Sequence, residues 1–139
     1  HMRLFPDVPP TLERLREAGY WLSVATGKGR SGLNQAIAQT GTGDFWLATA
    51  CASECPSKPA PDMVWRLCDE LGVMPAESIV IGDTAFDLEM AAHAGARGIG
   101  VATGAHSRET LQSAPNIGIL SCFGELEGFL QRQGSIEAV

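Results

Sequence analysis

Apolar residues along this chain fall into two kinds of stretch. Short unbroken runs occur at Tyr20 to Ala25, Trp46 to Ala50, Ser78 to Ile81, Gly98 to Val101 and Ile117 to Leu120. Such runs predict strands buried on both faces, as in a parallel sheet covered by helices. Between them the apolar positions recur at helical spacing. Pro9 and Pro10 suit an opening helical turn, where their missing N–H groups cost nothing, and Leu12, Leu15 and Ala18 then share a face that Gly19 ends. Ser31 is the expected cap of a second helix, with Leu33, Ala36 and Ile37 pointing inward and Gly41 at its end. Asp62 is the expected cap of a third, with Val64, Leu67, Cys68 and Leu71 on one stripe before Gly72. Further helices are expected over Thr84 to Ala94, Ser107 to Ser113 and Phe123 to Arg132. The prolines between Cys51 and Pro61 mark that segment as a loop.

Alternating strands and helices give an α/β protein with a parallel sheet of five strands and helices on both faces. Right-handed crossovers bring every strand-to-helix loop to one edge of the sheet, so residues far apart in sequence converge there.

At 139 residues the chain suits one domain. The expected division is a tag remnant at residues 1–2, a core over 3–132 and a frayed tail over 133–139. A formal net charge of −6, with the basic residues scattered, argues against a nucleic-acid partner, which needs clustered Lys and Arg. No apolar stretch approaches the roughly 20 residues that span a bilayer, and no signal peptide opens the chain, so no membrane partner and a cytoplasmic location are expected. Cys51, Cys55, Cys68 and Cys122 have neither paired metal-knuckle spacing nor that of a secreted disulfide framework; they read as small apolar residues, with a redox or zinc role for Cys51 and Cys55 the lesser reading.

The chemistry gathers at the predicted loop edge. Gly82-Asp83-Thr84-Ala85-Phe86-Asp87 follows a strand run and enters a helix, placing two carboxylates where a divalent cation could be held. Thr26 ends an earlier run, and Lys58 stands in Lys58-Pro59-Ala60-Pro61, where the prolines stiffen its loop. Hydroxyl, ammonium and paired carboxylates make a phosphate-plus-metal site. Each has a plainer reading: Thr26 as a cap after its strand, Lys58 as a solvated lysine, Asp83 as a helix cap. Capping accounts for one carboxylate but not for two. Lys28 and Arg30 could meet anions or simply be solvated, and His93 and His106 show no partner pattern. There is no Walker loop and no dinucleotide fingerprint.

Strand-end Thr26, then Lys58-Pro59-Ala60-Pro61, then Gly82-Asp83-Thr84-Ala85-Phe86-Asp87, in that order, resembles the haloacid dehalogenase superfamily and its phosphoglycolate-phosphatase-like branch. Leu4-Phe5-Pro6-Asp7-Val8 resembles the segment by which such proteins return from their cap domain to the core, and Gly95 to Val101 followed by Gly104-Ala105-His106-Ser107 resembles the stretch after the metal motif. The resemblance implies a three-layer Rossmann-like core, Mg²⁺ as cofactor and a small phosphorylated metabolite as substrate. It implies that Thr26 and the N–H of Gly27 bind a phosphoryl oxygen, with Lys28 nearby. Lys58 would neutralise nucleophile and phosphoryl charge, Asp83 would ligate the metal, and Asp87 would hold a metal-bound water or pair with Lys58. Gly27 stands where the family often has Asn.

The family's nucleophile, the first Asp of an Asp-x-Asp-Gly-Thr strand end, is missing: Asp7 and Asp44 lack both the strand and the second Asp. The chain therefore resembles the core from just after the cap onward, without its central first strand, and is expected to be inactive alone. A shortened, non-catalytic binding or interaction protein is the alternative; a receiver domain is disfavoured because Thr and Lys precede the acidic pair. Losing the central strand opens two sheet edges, inviting strand exchange or dimerisation. Either the strands ending at Thr26 and Ile81 should pair directly, or a foreign segment should fill the gap.

Overall fold

The structure is a computed structural model that describes residues 6–133. Helix α1 (Val8–Glu17) carries its prolines in the first turn, and β1 (Leu22–Thr26) follows. Next come α2 (Arg30–Thr40), a 3₁₀ turn (Gly43–Phe45), β2 (Trp46–Cys51) and α3 (Asp62–Leu71). A second 3₁₀ turn (Pro75–Glu77) precedes β3 (Ile79–Gly82), α4 (Ala85–Ala94), β4 (Arg97–Val101) and α5 (Arg108–Gln112). The described chain ends with β5 (Gly118–Leu120), a third 3₁₀ turn (Phe123–Glu125) and α6 (Leu126–Gln133). The proposed tag residues 1–2 and most of the proposed tail lie outside the described residues.

All pairings are parallel, as the apolar runs predict, but they form two sheets. One is β1-β2, with Thr26 opposite Cys51; the other is β3-β4-β5, with Ile81 opposite Ile99. Among the described residues no ladder joins β1 to β3. The expectation that these strands would pair directly is overturned. In its place is a cavity of about 580 Å³, lined by consecutive residues of β1 (Leu22 to Ala25) and of β3 (Ile79 to Gly82).

Side chains hold the two sheets together and hold them apart. On one face α3 and α4 supply Met63, Val64, Leu67, Cys68, Met90 and Ala94, which pack with Ala48 and Ala50 of β2, Ala25 of β1 and Val80 of β3. On the other, Leu15 of α1 and Leu126 and Leu130 of α6 pack with Leu22 of β1, Ile79 and Ile81 of β3, Ile99 and Leu120. Successive residues of β3 thus alternate between clusters, as the pleat requires. Pairing β1 with β3 would require repacking both clusters, whose helix residues are already buried. A smaller cluster under α5 joins Leu111 and Ala114 to Ala85 and Leu88.

Several helix ends differ from expectation. Ala18 is exposed at the end of α1, and Thr11 is buried instead. Helix α2 begins one residue before Ser31, after Gly29; its first N–H, that of Arg30, donates to Ser53 Oγ at 3.0 Å, so the cap comes from another loop. In α2, Leu33 and Ala36 are buried and Ile37 only half-buried. Pro61, not Asp62, precedes α3, and Asp62 lies in its first turn, where a carboxylate favours the helix dipole. All four cysteines are free; Cys51 and Cys68 are buried, Cys55 and Cys122 partly so. Among the described residues no helix is long and apolar enough to cross a membrane.

Candidate active site

The carboxyl ends of β1 and β3 and the loop before α3 meet at one end of the cavity, where Lys58, Asp83, Asp87 and Thr103 contribute to the lining. Trp21 and Trp46 line it toward the strands' starts, whereas Asp7, which precedes α1, and Phe123, which follows β5, line it on the side of the carboxyl ends.

Asp87 is the most constrained of these residues. It is buried, and its N–H donates to Thr84 Oγ1 at 3.3 Å, while Thr84 Oγ1 and Thr84 N donate to its Oδ2 at 2.8 and 3.3 Å. This reciprocal capping box starts α4. The cap is therefore Thr84 with Asp87, and Asp83 takes no part in it. The other oxygen of Asp87 accepts from Lys58 Nζ at 2.5 Å, so a buried carboxylate meets a mostly buried ammonium. Gly82 makes this geometry feasible: a Cβ there would collide with the Asp87 side chain. The sequence expectation left Asp87 between holding a metal-bound water and pairing with Lys58; the second is what is seen.

Asp83 is the opposite case. It is exposed, and among the described residues its carboxylate has neither a hydrogen bond nor an ion pair. One oxygen lies against Gly104, where a Cβ would strike it. No three residues among His, Cys, Asp and Glu converge into a ready cage among the described residues. A single open carboxylate beside a second, committed one fits a hard cation that keeps several waters, and does not fit one needing a full protein cage.

Thr26 ends β1 and accepts the N–H of Lys28 at 3.2 Å, so the capping reading of its hydroxyl holds locally. The hydroxyl's own proton has no acceptor among the described residues and remains free to donate. Gly27 faces open space, and Lys28 is exposed. The structure places Thr26, Gly27 and Lys28 at the edge where Lys58, Asp83 and Asp87 gather, but none of the three lines the cavity.

Arg30 is no anion ligand here. Its guanidinium grips Glu54 with bonds of 3.0 and 2.7 Å and Thr49 Oγ1 at 2.7 Å. The hydrogen bonds from Arg30 hold the Glu54 carboxyl down from the ordinary 4.5 to about 2, and the same contact raises Arg30. Sequence reasoning also missed what the histidines do. His106 Nδ1 accepts the N–H of Ala85 at 2.9 Å, and its ring meets Phe86 edge-on at 5.6 Å, tying the loop of Gly104 to the start of α4. Neither partner is a side-chain pattern that a sequence displays.

A sequence model of haloacid dehalogenase-like hydrolases matches residues 1–101. The chain belongs to that family. Its relatives include the pyrophosphatase PpaX of Bacillus velezensis, 32% identical over 78% of this chain and 51% of that protein. A phosphoglycolate phosphatase of Haemophilus influenzae is 32% identical over 73% of this chain and 46% of its own length. Among solved structures, a haloacid dehalogenase-like hydrolase from Bacteroides fragilis superposes with a TM-score of 0.83 at 29% identity, covering 88% of this chain and 59% of that one. A HAD family hydrolase from Deinococcus radiodurans gives 0.86 at 22% identity, over 97% and 62%, and shares the fold. This haloacid dehalogenase-like chain spans about half the length of the curated relatives it matches.

Proposed function

We propose that this chain is the C-terminal part of the core of a Mg²⁺-dependent phosphatase that cleaves a small phosphomonoester in the cytoplasm. The observation that carries the reading is the meeting of Lys58, Asp83 and Asp87 at one end of the cavity between β1 and β3. The phosphatase names of its relatives support the reaction class. Neither a nucleic acid nor a membrane is proposed as partner.

In this reading Asp83 holds the cation, which would supply charge neutralisation at the phosphoryl oxygens. Lys58 offsets negative charge as nucleophile and phosphoryl group approach, and Asp87 keeps its ammonium in place. The Thr26 hydroxyl and the Gly27 N–H donate to a phosphoryl oxygen, and exposed Lys28 draws the anion in. A carboxylate from an extended segment lying between β1 and β3 attacks phosphorus. Its O–P bond forms as the ester P–O bond breaks; the segment's second carboxyl gives its proton to the leaving alcohol and then takes one from the water that cleaves the acyl phosphate. The chain's own residues bind and neutralise; the nucleophile comes from that segment.

The test is p-nitrophenyl phosphate hydrolysis with Mg²⁺, by the chain alone and mixed with an apolar peptide ending in Asp-x-Asp-Gly-Thr. No turnover alone and turnover with the peptide, abolished by Asp83→Asn, is the expected result. Failure of the peptide to confer turnover, together with no phosphate binding by the chain, would sink the reading. Phosphate binding without any turnover would favour the non-catalytic binding role.

A further inference from the structure

We infer that His93 is a positioning residue for Lys58. His93 lies in the last turn of α4, and its Nδ1 is 2.9 Å from the carbonyl oxygen of Pro59. The carbonyl accepts, so Nδ1 carries the hydrogen. The same helix therefore grips two consecutive loop residues: Asp87 takes the side chain of Lys58, and His93 takes the backbone of Pro59. Six residues of helix set these grips about 9 Å apart. The loop lies across α4 as if pinned at both ends.

The pin matters because residues 56–60 have little else to fix them, the earlier part of the loop being held through Ser53 and Glu54. Pro59 and Pro61 have no N–H, and the internal tie is Ala60 N to Ser57 O at 3.0 Å. The nearby bond from Trp65 Nε1 to Ala94 O, at 3.2 Å, fastens α3 to α4 rather than the loop. A histidine in a last helical turn also favours the helix dipole, which explains its place but not its bond to Pro59. Losing that bond leaves Lys58 with its ion pair but frees the backbone that carries it, so the ammonium samples positions away from Asp87. The positioning stands on these contacts alone; its consequence for anion binding rests on the function proposed above.

The chain's lysines, Lys28 and Lys58, make the test direct. Brief acetylation with an N-hydroxysuccinimide ester, read by peptide mass spectrometry, gives the Lys58-to-Lys28 labelling ratio, with exposed Lys28 as internal reference. In the unsubstituted protein the ratio should be low, because Lys58 is ion-paired and mostly buried. His93→Leu and His93→Ala should raise it about fivefold, the size expected for one lost hydrogen bond. His93→Asn, whose amide can stand in for the Nδ1 donor, should return it toward the original value. Exposed on a helix surface, position 93 tolerates these changes, and circular dichroism on each variant checks the fold.

An unchanged ratio in both apolar variants overturns the inference. So does an equal rise in His93→Asn, which would make the effect one of helix packing. Inorganic phosphate affinity, measured with Mg²⁺ on the same set, should follow the same order. If the unsubstituted protein binds no phosphate, the consequence for anion binding falls, and the labelling ratio still decides the role of His93.

Discussion

Two carboxylates of this chain illustrate how neighbours decide what a side chain does. Glu54, partly exposed, is held in its charged form by the bidentate Arg30 contact, with its titration lowered to about 2. Because the folded value lies below the unfolded one, the stabilisation is fully present above about pH 4.5 and is lost as pH falls toward 2. Thermal unfolding across that window should show Glu54→Gln less sensitive to acid than the unsubstituted protein; equal sensitivity would mean that the pair contributes nothing. Asp87 is the other case, satisfied on both oxygens and buried. Removing its ammonium partner with Lys58→Met should cost about 1–3 kcal/mol, measured by urea unfolding, because a buried charge is left with fewer donors. Neither pairing was readable from spacing. Arg30 and Glu54 look like loop charges until β1 and β2 bring their loops side by side. The Lys58–Asp87 pair was foreseen as an alternative because two motifs of one family share an edge.

At the scale of elements, the strands and helices were legible wherever several apolar positions repeated. The same repetition blurs at the ends. Strand β1 starts later than Tyr20, and α6 is preceded by a 3₁₀ turn instead of starting at Phe123. Caps failed for a definite reason: Ser53 satisfies the first N–H of α2 from 23 residues away, which no local pattern announces. The cap of α4 was a choice between adjacent residues, and the capping box decided it in favour of Thr84. Thr84→Ala should accordingly destabilise by about 1–2 kcal/mol in urea unfolding, whereas Thr84→Ser should stay near the original. A smaller loss than for an ordinary surface threonine would show that the box carries no weight.

The molecule as a whole differs from the sequence expectation in one respect: five parallel strands were read correctly, and their closing into a single sheet was not. Pairing is a property of backbones brought together, and the apolar pattern along β1 and β3 is the same whether or not they meet. An apolar peptide that fills the cavity should raise the melting temperature and shift the emission of Trp21 and Trp46, both of which line it. Using Trp65→Phe leaves those two as the reporters; unchanged melting and emission at saturating peptide would rule out strand entry there. The two side-chain clusters that bridge the sheets have an effect of their own. They act as spacers, and the width they keep is a matter of residue volume. A protein engineer who filled the space with larger side chains at Ser23 or Ala25, which line it, would obtain a more tightly knit molecule with no room for a guest. For this chain, improved folding and retained usefulness are separate targets, and a screen for thermal tolerance alone would select against the second.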